Sequence, residues 1–307
     1  MFDTVNIGCD LSWTGTDVST VLDTHTDWGC SVSGDGEIKH YKRQDKNLQV
    51  YLHPKGYLNI YGSWSKYIAG NNFYAPTLVE LKKVAYDLSH KYAVNLLTAK
   101  VNRADVAHTL QMDNPAIEYY SGLGSYDGNM KRVEVADGTL EYRGNNKILC
   151  IYDKVRESVE KGTKIPEELV DDNSLRIESR WTTNASISKM LGFNFDKTNW
   201  TTKQKEDAKP KLTTILREDI YQTRIFPAFK QMYMSIKKGT NFRVPTRESL
   251  TFSEGKDALL IYFLANLSED DAWRFFDNAK FNSSNQKTEM KKYITGLIDS
   301  ARQRNDL

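Results

Sequence analysis

Three short alternating segments separated by tight turns constrain the fold of this chain more than any other feature of its sequence. The segments are Lys131–Val135, Thr139–Arg143 and Lys147–Asp153. Asp137-Gly138 follows the first segment and Gly144-Asn145 the second, and both pairs favour two-residue turns between antiparallel strands. The pattern therefore predicts a β-meander, which commits this part of the chain to an antiparallel sheet.

The last of these strands carries a candidate nucleophile. Side chains two residues apart on a strand share a face, so Cys150, Tyr152 and Lys154 point the same way. A phenol beside an ammonium is a candidate nucleophile, with Lys154 or an arginine favouring the phenolate. The alternative is an ordinary strand tyrosine, because the chain has 17 tyrosines and tyrosine is common in strands.

Residues 94–110 form a further segment of strand character that carries a carboxylate. Alternation places Arg103 and Asp105 on one face and His108 on the other. Aspartate is a poor strand former, so its presence at position 105 has to be explained. It could be a metal ligand, form an ion pair with Arg103 or lie in an edge strand. His108 would join Asp105 at a metal only if a bulge turned it round.

A second acidic segment alternates cleanly around Glu178. Arg176, Glu178 and Arg180 share one face, which is either a structural ion network or the wall of an active site. If the strands converge, Asp105 and Glu178 offer the oxygen ligands that suit Mg²⁺ or Mn²⁺. Tyr152 would then attack a metal-polarised phosphate, leaving a 5'-phosphotyrosine and a free 3'-hydroxyl.

Residues 62–73 are polar, bounded by glycines and rich in aromatic side chains, which predicts a loop. Trp64 and Tyr67 are candidates for stacking on unpaired bases, and Lys66 between them is a candidate DNA contact. The alternative is that these rings cover a core. The other candidate DNA contacts are Arg103, Arg176 and Arg180.

The composition is ordinary for a globular protein, with 39% hydrophobic and 27% charged residues among 307. No apolar run reaches the ~18 residues needed to cross a bilayer, and the acidic start is unlike a signal peptide, so we expect a cytoplasmic protein without a membrane partner. The three cysteines lack a metal-binding spacing, which indicates reduced thiols. Residues 203–248 hold eleven Lys or Arg against five Asp or Glu, which suits either a phosphate backbone or a solvated helical surface.

Sheet-forming segments dominate up to about residue 183, and helical periodicity follows. Residues 37–43, 48–53 and 57–61 predict a second antiparallel meander, and a helix is expected after Pro76. The later part is mostly helical, with a bend at Phe226-Pro227. The sequence therefore predicts an α+β fold, with a sheet-rich region over 1–183 and a helical, basic C-terminal region over 184–307.

Five stretches of the sequence are distinctive in their order and spacing: residues 1–5, 62–73, 102–105, 149–154 and 175–178. Together they resemble the gene II and gene X replication initiators of filamentous phages and, more distantly, the replication-transfer initiators of plasmids. The resemblance covers about residues 1–185. It implies a rolling-circle initiator, a site-specific endonuclease and ligase that nicks single-stranded or supercoiled origin DNA in the host bacterial cytoplasm, with host helicase and polymerase as partners.

The resemblance also assigns residues and a fold. Tyr152 matches the nucleophile of the family, and Asp105 and Glu178 match its acidic strand positions, which we take as ligands of Mg²⁺ or Mn²⁺. The implied fold is an HUH-like antiparallel palm backed by helices over residues 1–183, the nicking and joining domain. Residues 184–307 would bind DNA or helicase. The paired histidines of the HUH motif are missing from this sequence.

Two other functions use the same features. A relaxase or transposase-like nickase of a mobile element would carry the same site and act on other DNA. A non-catalytic origin-binding repressor would use the basic helices but would have no need of Asp105, Tyr152 and Glu178 together.

Overall fold

The computed structural model describes residues 2–135, 138–193 and 208–238, with positions 201, 204, 285, 288, 289, 291, 292 and 295. The chain divides into two compact units, one of residues 1–118 and 126–232 and one of residues 119–125 and 233–307. The first unit contains a large antiparallel sheet backed by helices, so the fold is α+β, as predicted. The assignment of an HUH-like palm and the division of function at residue 183 stay predictions.

Ten strands form the main sheet, in the order β2-β3-β4-β5-β1-β6-β11-β10-β9-β8. Their bounds are β1 (Phe2–Asp10), β2 (Gly29–Val32), β3 (Ile38–Asp45), β4 (Leu48–His53), β5 (Tyr57–Ser63), β6 (Lys100–Met112), β8 (Lys131–Val135), β9 (Thr139–Arg143), β10 (Lys147–Asp153) and β11 (Asn173–Trp181). β7 (Leu123–Tyr126) pairs with β12 (Ile236–Lys238) in a separate two-stranded sheet. Both predicted meanders are confirmed as β3 to β5 and β8 to β10.

The main sheet consists of two similar halves. In the first, β1 is followed by a meander that returns to it through β5, and in the second, β6 is followed by a meander that returns to it through β11. β1 and β6 are antiparallel neighbours at the centre of the sheet. Their register shifts between Phe2 and Val5 and again between Asn6 and Ile7, so two irregularities flank the middle of the sheet. Such irregularities redirect side chains and are common beside functional sites.

Nine α-helical segments lie within the described residues. They are α1 (Val18–Asp23), α2 (Trp64–Ala69), α3 (Leu78–Lys91), α4 (Ala116–Tyr120), α5 (Lys154–Glu160), α6 (Asn184–Met190), α7 (Leu212–Ile215), α8 (Glu218–Ile220) and α9 (Phe226–Met234). Thr77 and Glu80 form a capping box that starts α3. A π-helical turn, Tyr221–Ile225, directly precedes α9, so the irregularity predicted at Phe226-Pro227 falls one turn earlier.

The two faces of the sheet differ in polarity. Valine, leucine and isoleucine alternate inward along β1, β4 and β5, and they form one part of the core. Helix α3 lies on this side of the sheet. Lys91 at its end bonds the buried Asp45 of β3 at 2.8 Å. The opposite face carries most of the charged strand residues, which share that face because paired residues of antiparallel strands point the same way.

The structure differs from the sequence predictions at two segments. Residues 64–69 form helix α2 rather than part of a loop, because the Ser63 side chain caps the backbone N–H of Lys66 and Gly70 ends the helix at φ +74°. The strand expected from residue 94 begins only at Lys100, after a short 3₁₀ turn, Leu96–Thr98, capped by Asn95. Residues 239–284 of the helical region predicted over 184–307 lie outside the described residues.

Candidate active site

Three adjacent strands bring the predicted residues onto one face of the sheet. β11 lies between β6 and β10, and its register pairs Arg180 with Asp105 and Arg176 with Tyr152. Glu178, two residues from each arginine, shares their face. Asp105 and Tyr152 are 47 positions apart in the chain, and Tyr152 and Glu178 are 26 apart, yet all three lie on a single surface.

Tyr152 and Glu178 are in direct contact. The Tyr152 hydroxyl donates a 2.8 Å hydrogen bond to Oε2 of Glu178, and both side chains are buried. Burial raises the pKa of Tyr152 well above its ordinary value, the charge of Glu178 raises it further, and Arg176 opposes the shift. The Tyr152 side chain is therefore a neutral phenol at rest.

Lys154 does not occupy the position that the sequence predicts. β10 ends at Asp153 and α5 begins at Lys154, so the alternation that would place it beside Tyr152 stops there. The Lys154 ammonium is fully buried, bonds Glu157 at 2.6 Å and lies 5.3 Å from the centre of the Phe73 ring. The prediction that this ammonium favours the phenolate is not supported, because the group on the phenol is a carboxylate.

Each buried carboxylate is bound by an arginine of its own strand. Arg103 binds Asp105 with both nitrogens of its fork, Nε at 2.9 Å and Nη2 at 2.7 Å. Arg180 bonds Glu178 at 2.8 Å through Nε. The side chains of the arginines are 27% and 26% exposed, whereas those of the acids are 1% and 5% exposed. Two guanidinium groups therefore separate the acids from solvent.

Of the three explanations for an aspartate inside this strand, the structure shows the ion pair with Arg103. An edge position is excluded, because β6 lies between β1 and β11. The pair holds a charged group on the polar face near the centre of the sheet, where burial would otherwise be costly.

The two carboxylates have different pKa values. Burial and then the neighbouring charge of Glu178 raise the pKa of Asp105 to about 7, although Arg103 works in the opposite direction. Burial also raises the pKa of Glu178, but Arg180 and Arg176 outweigh it and lower the pKa to about 2. At neutral pH the site therefore contains an ionised Glu178 beside an Asp105 whose pKa is raised.

Arg176 is buried rather than surface-exposed. It bonds Asp3 at 3.2 Å, the backbone oxygen of Asn72 at 2.7 Å and the hydroxyl of Thr109 at 3.2 Å. These contacts join β1, the segment before α3 and β6 to the strand that carries Glu178. Arg176 therefore holds the site together and does not reach DNA at the surface as predicted.

Two acidic residues of this network were missed by the sequence reasoning. Glu141 of β9 pairs with Cys150, so it shares the face, and it lies 3.8 Å from Arg180. The alternation of β9 alone would have pointed to it. Asp3 has no comparable signal, because only the tertiary structure brings the start of the chain to Arg176.

The remaining predicted residues lie apart from this cluster. His108 pairs with Ile177 in an uninterrupted register, so no bulge turns it towards Asp105. Trp64 is fully buried in α2 and has no ring face open to a base. Lys66 bonds the hydroxyl of Thr163 at 3.2 Å, and the Tyr67 ring lies under the ammonium of Lys46 at 4.4 Å.

The residues present do not form a ready-made metal site. All four carboxylate oxygens of Asp105 and Glu178 already have partners in Arg103, Arg180 and Tyr152. In the part of the chain that the structure describes, no three His, Cys, Asp or Glu side chains come together as metal ligands. The prediction of Mg²⁺ or Mn²⁺ at these acids stays a prediction.

Fold and site define a class: an α+β protein whose antiparallel sheet carries a tyrosine, carboxylates and arginines on its polar face. Residues 1–202 match the Phage_CRI family, which is described as the N-terminal part of a phage replication-associated protein. The chain therefore belongs to this family of filamentous-phage gene II-like replication initiators, as the resemblance predicts. Membership supports a role in initiating rolling-circle replication and, with it, binding to DNA.

No curated protein matches the chain. Within the described residues, no helix has the length and apolar composition to cross a membrane.

Proposed function

We propose that this protein nicks one strand of supercoiled origin DNA through Tyr152, leaving a 5'-phosphotyrosine and a free 3'-hydroxyl, and rejoins the strand by the reverse reaction. The observation that carries the proposal is the 2.8 Å hydrogen bond between the Tyr152 hydroxyl and Glu178, beneath two partly exposed arginines. A covalent intermediate keeps the phosphodiester energy for rejoining, which hydrolysis would lose.

The proton of Tyr152 has to leave during the attack, because the raised pKa keeps the phenol neutral at rest. Glu178 already accepts a hydrogen bond from it and is the general base. As the bond from Tyr152 to phosphorus forms, the bond from phosphorus to the 3'-oxygen breaks. Asp105, with a pKa of about 7, donates the proton that this oxygen needs.

Arg180 links phosphate binding to the strength of the base. Its charge lowers the pKa of Glu178, which makes the carboxylate a weak base while the two stay paired. A guanidinium also binds phosphate with two parallel hydrogen bonds. When Arg180 turns to the scissile phosphate, Glu178 loses that charge and becomes a stronger base. Arg103 supplies a second cation for the DNA backbone at the same surface.

No step of this scheme is assigned to a metal ion. Asp105 and Glu178 remain the proposed ligands of Mg²⁺ or Mn²⁺, since they carry the hard oxygen donors of the site. A carboxylate that binds the cation is ionised, so the proton transfers described above apply to the site without a metal ion. Binding there requires that the arginines release these oxygens. A bound cation would polarise the scissile phosphate.

The test uses the supercoiled replicon that encodes the protein, with Mg²⁺ or Mn²⁺ in the buffer. Tyr152→Phe should bind the origin but form no denaturant-resistant protein–DNA adduct. Tyr142→Phe is the matched control, because Tyr142 is a buried strand tyrosine whose partner Leu149 points to the other face. It should form the adduct with normal yield. A normal adduct with Tyr152→Phe would remove this residue from the mechanism.

The same experiment separates the rival functions. Origin binding by the wild-type protein without any adduct would indicate a repressor. An adduct formed only on transfer or transposon DNA would indicate a mobile-element nickase with the same chemistry. Host polymerase, which would extend the free 3'-hydroxyl, and host helicase are the proposed partners of the nicked complex.

A further inference from the structure

Half of the polar face plays no part in the nicking scheme. Arg103 pairs with Asn6, Asn6 with Tyr61, and Tyr61 with Gln49, so β1, β5 and β4 continue the surface on which Asp105 lies. Other side chains of the same surface are Lys42, Tyr51, Tyr57 and Asn59. We refer to this surface of β1, β3, β4 and β5 as the tyrosine face.

Tyr57 lies across the central strand because Gly8 has no side chain. A Cβ atom at Gly8 would lie 1.8 Å from the hydroxyl oxygen of Tyr57. That hydroxyl accepts a hydrogen bond at 3.4 Å from Asn102, and 37% of Tyr57 is exposed. The ring is therefore fixed over the sheet while part of its surface stays open to solvent.

Two more tyrosines lie on the same face. Tyr61 continues along β5 from Tyr57 towards Arg103, and Tyr51 lies on β4, on the side of β5 away from the candidate active site. Tyr51 pairs with Asn59, so it is the diagonal neighbour of both Tyr57 and Tyr61 on the adjacent strand. Diagonal neighbours of this kind are ~7–8 Å apart. The guanidinium of Arg103 lies 5.9 Å from the centre of the Tyr61 ring. The row of rings therefore ends at an arginine that also binds Asp105.

The exposed charge of the tyrosine face suits an anionic partner. Lys42 is exposed and Arg103 at its edge is partly exposed, whereas Lys100, which pairs with Gly8, is buried with its ammonium 3.8 Å from the centre of the Trp13 ring. Among its described strand positions, Asp10 carries a carboxylate, and that group is bonded to Ser12 at 2.7 Å. Aromatic rings beside cations and amides resemble the stacking platforms that hold unpaired bases.

We propose that single-stranded DNA beside the nick lies on the tyrosine face, with unpaired bases stacked on Tyr57, Tyr51 and Tyr61. Its backbone then passes Arg103 and reaches Tyr152. The identity of the bound strand rests on the proposed nicking function. Binding of the strand does not depend on cleavage, so its affinity is measurable in a variant that does not cut DNA.

The experiment measures the affinity of the full chain for a fluorescein-labelled oligothymidylate by fluorescence anisotropy. Tyr51→Leu and Tyr61→Leu should each raise Kd by about tenfold, which corresponds to one lost base stack. Tyr51→Phe and Tyr61→Phe keep the ring and should bind like wild type. Tyr86→Leu is the control, because Tyr86 is an aromatic side chain of α3 that is 56% exposed.

Two further variants distinguish a failure of the tyrosine face from a failure of the nicking proposal. Gly8→Ala should weaken binding without removing an aromatic ring, because it displaces Tyr57. Tyr152→Phe should bind the oligonucleotide normally, so a failure of the nicking proposal leaves this result unaffected. Wild-type affinity in both leucine variants would overturn the tyrosine face, and so would an equal loss in the phenylalanine variants or in Tyr86→Leu.

Discussion

Replacing Arg176 by methionine should destabilise the protein by about 3 kcal/mol. Arg176 and Asp3 are 4% and 5% exposed, and their charges are 3.2 Å apart. Breaking a buried ion pair from one side costs ~3–5 kcal/mol, because the remaining charge stays buried without a partner. Asp3 keeps its hydrogen bonds from Ser63 at 2.8 Å and from Asn72, which places the loss at the lower end.

A double-mutant cycle isolates this interaction. Asp3→Asn alone leaves the Arg176 guanidinium without its counter-charge, whereas Asp3→Asn with Arg176→Met removes both charges. The double variant should therefore lose less stability than the sum of the two single variants, with a coupling of about 2 kcal/mol.

Urea unfolding followed by tryptophan fluorescence measures the free energies. For a domain of this size, a loss of about 3 kcal/mol lowers the melting temperature by roughly 6–12 °C. Arg143→Met is the control, since Arg143 pairs with Glu141 on the same face but is 52% exposed, and it should cost less than about 1 kcal/mol. A loss below about 1 kcal/mol for Arg176→Met, or strict additivity in the cycle, would refute the argument.

Three further predictions concern the site and the helix beside it. The rate of adduct formation should fall tenfold per pH unit above about pH 7, where Asp105 loses the proton it donates, and Asp105→Asn should remove that dependence; a flat wild-type profile would contradict this role. Arg180→Met should bind Mn²⁺ more tightly than wild type in the absence of DNA, as measured by electron paramagnetic resonance, because it frees a Glu178 oxygen; unchanged affinity would count against Glu178 as a ligand. Gly70→Ala should cost about 1 kcal/mol in urea unfolding, because Gly70 has φ +74° where α2 ends; wild-type stability would show that this backbone position is not strained by a side chain.

Much of the fold follows from patterns that are local in the sequence. The β8 to β10 meander was predictable because alternation and turn dipeptides act over only a few residues. Helix α2 was not, since its start depends on the Ser63 cap and its polar, glycine-bounded sequence is typical of a loop. Burial of Trp64 follows from that helix and removes it from the set of exposed aromatics.

The candidate site was predictable in part for the same reason. Arg103 with Asp105 and Arg180 with Glu178 are pairs two residues apart, so strand alternation alone places each pair on one face. Lys154 fails this rule because the strand ends one residue before it. The contact between Tyr152 and Glu178 depends on which strands are neighbours, and alternation says nothing about that.

The sequence by itself determined the two meanders, which side chains of a strand share a face and which family the chain belongs to. Only the tertiary structure decided that β10, β11 and β6 lie side by side, that Asp3 neutralises Arg176 and that Gly8 makes room for Tyr57. The physical reason is the distance along the chain over which each effect acts. Side-chain alternation and turn preferences are set by neighbouring residues, whereas strand order and the burial that shifts the pKa values of Tyr152 and Asp105 arise from contacts between distant parts of the chain.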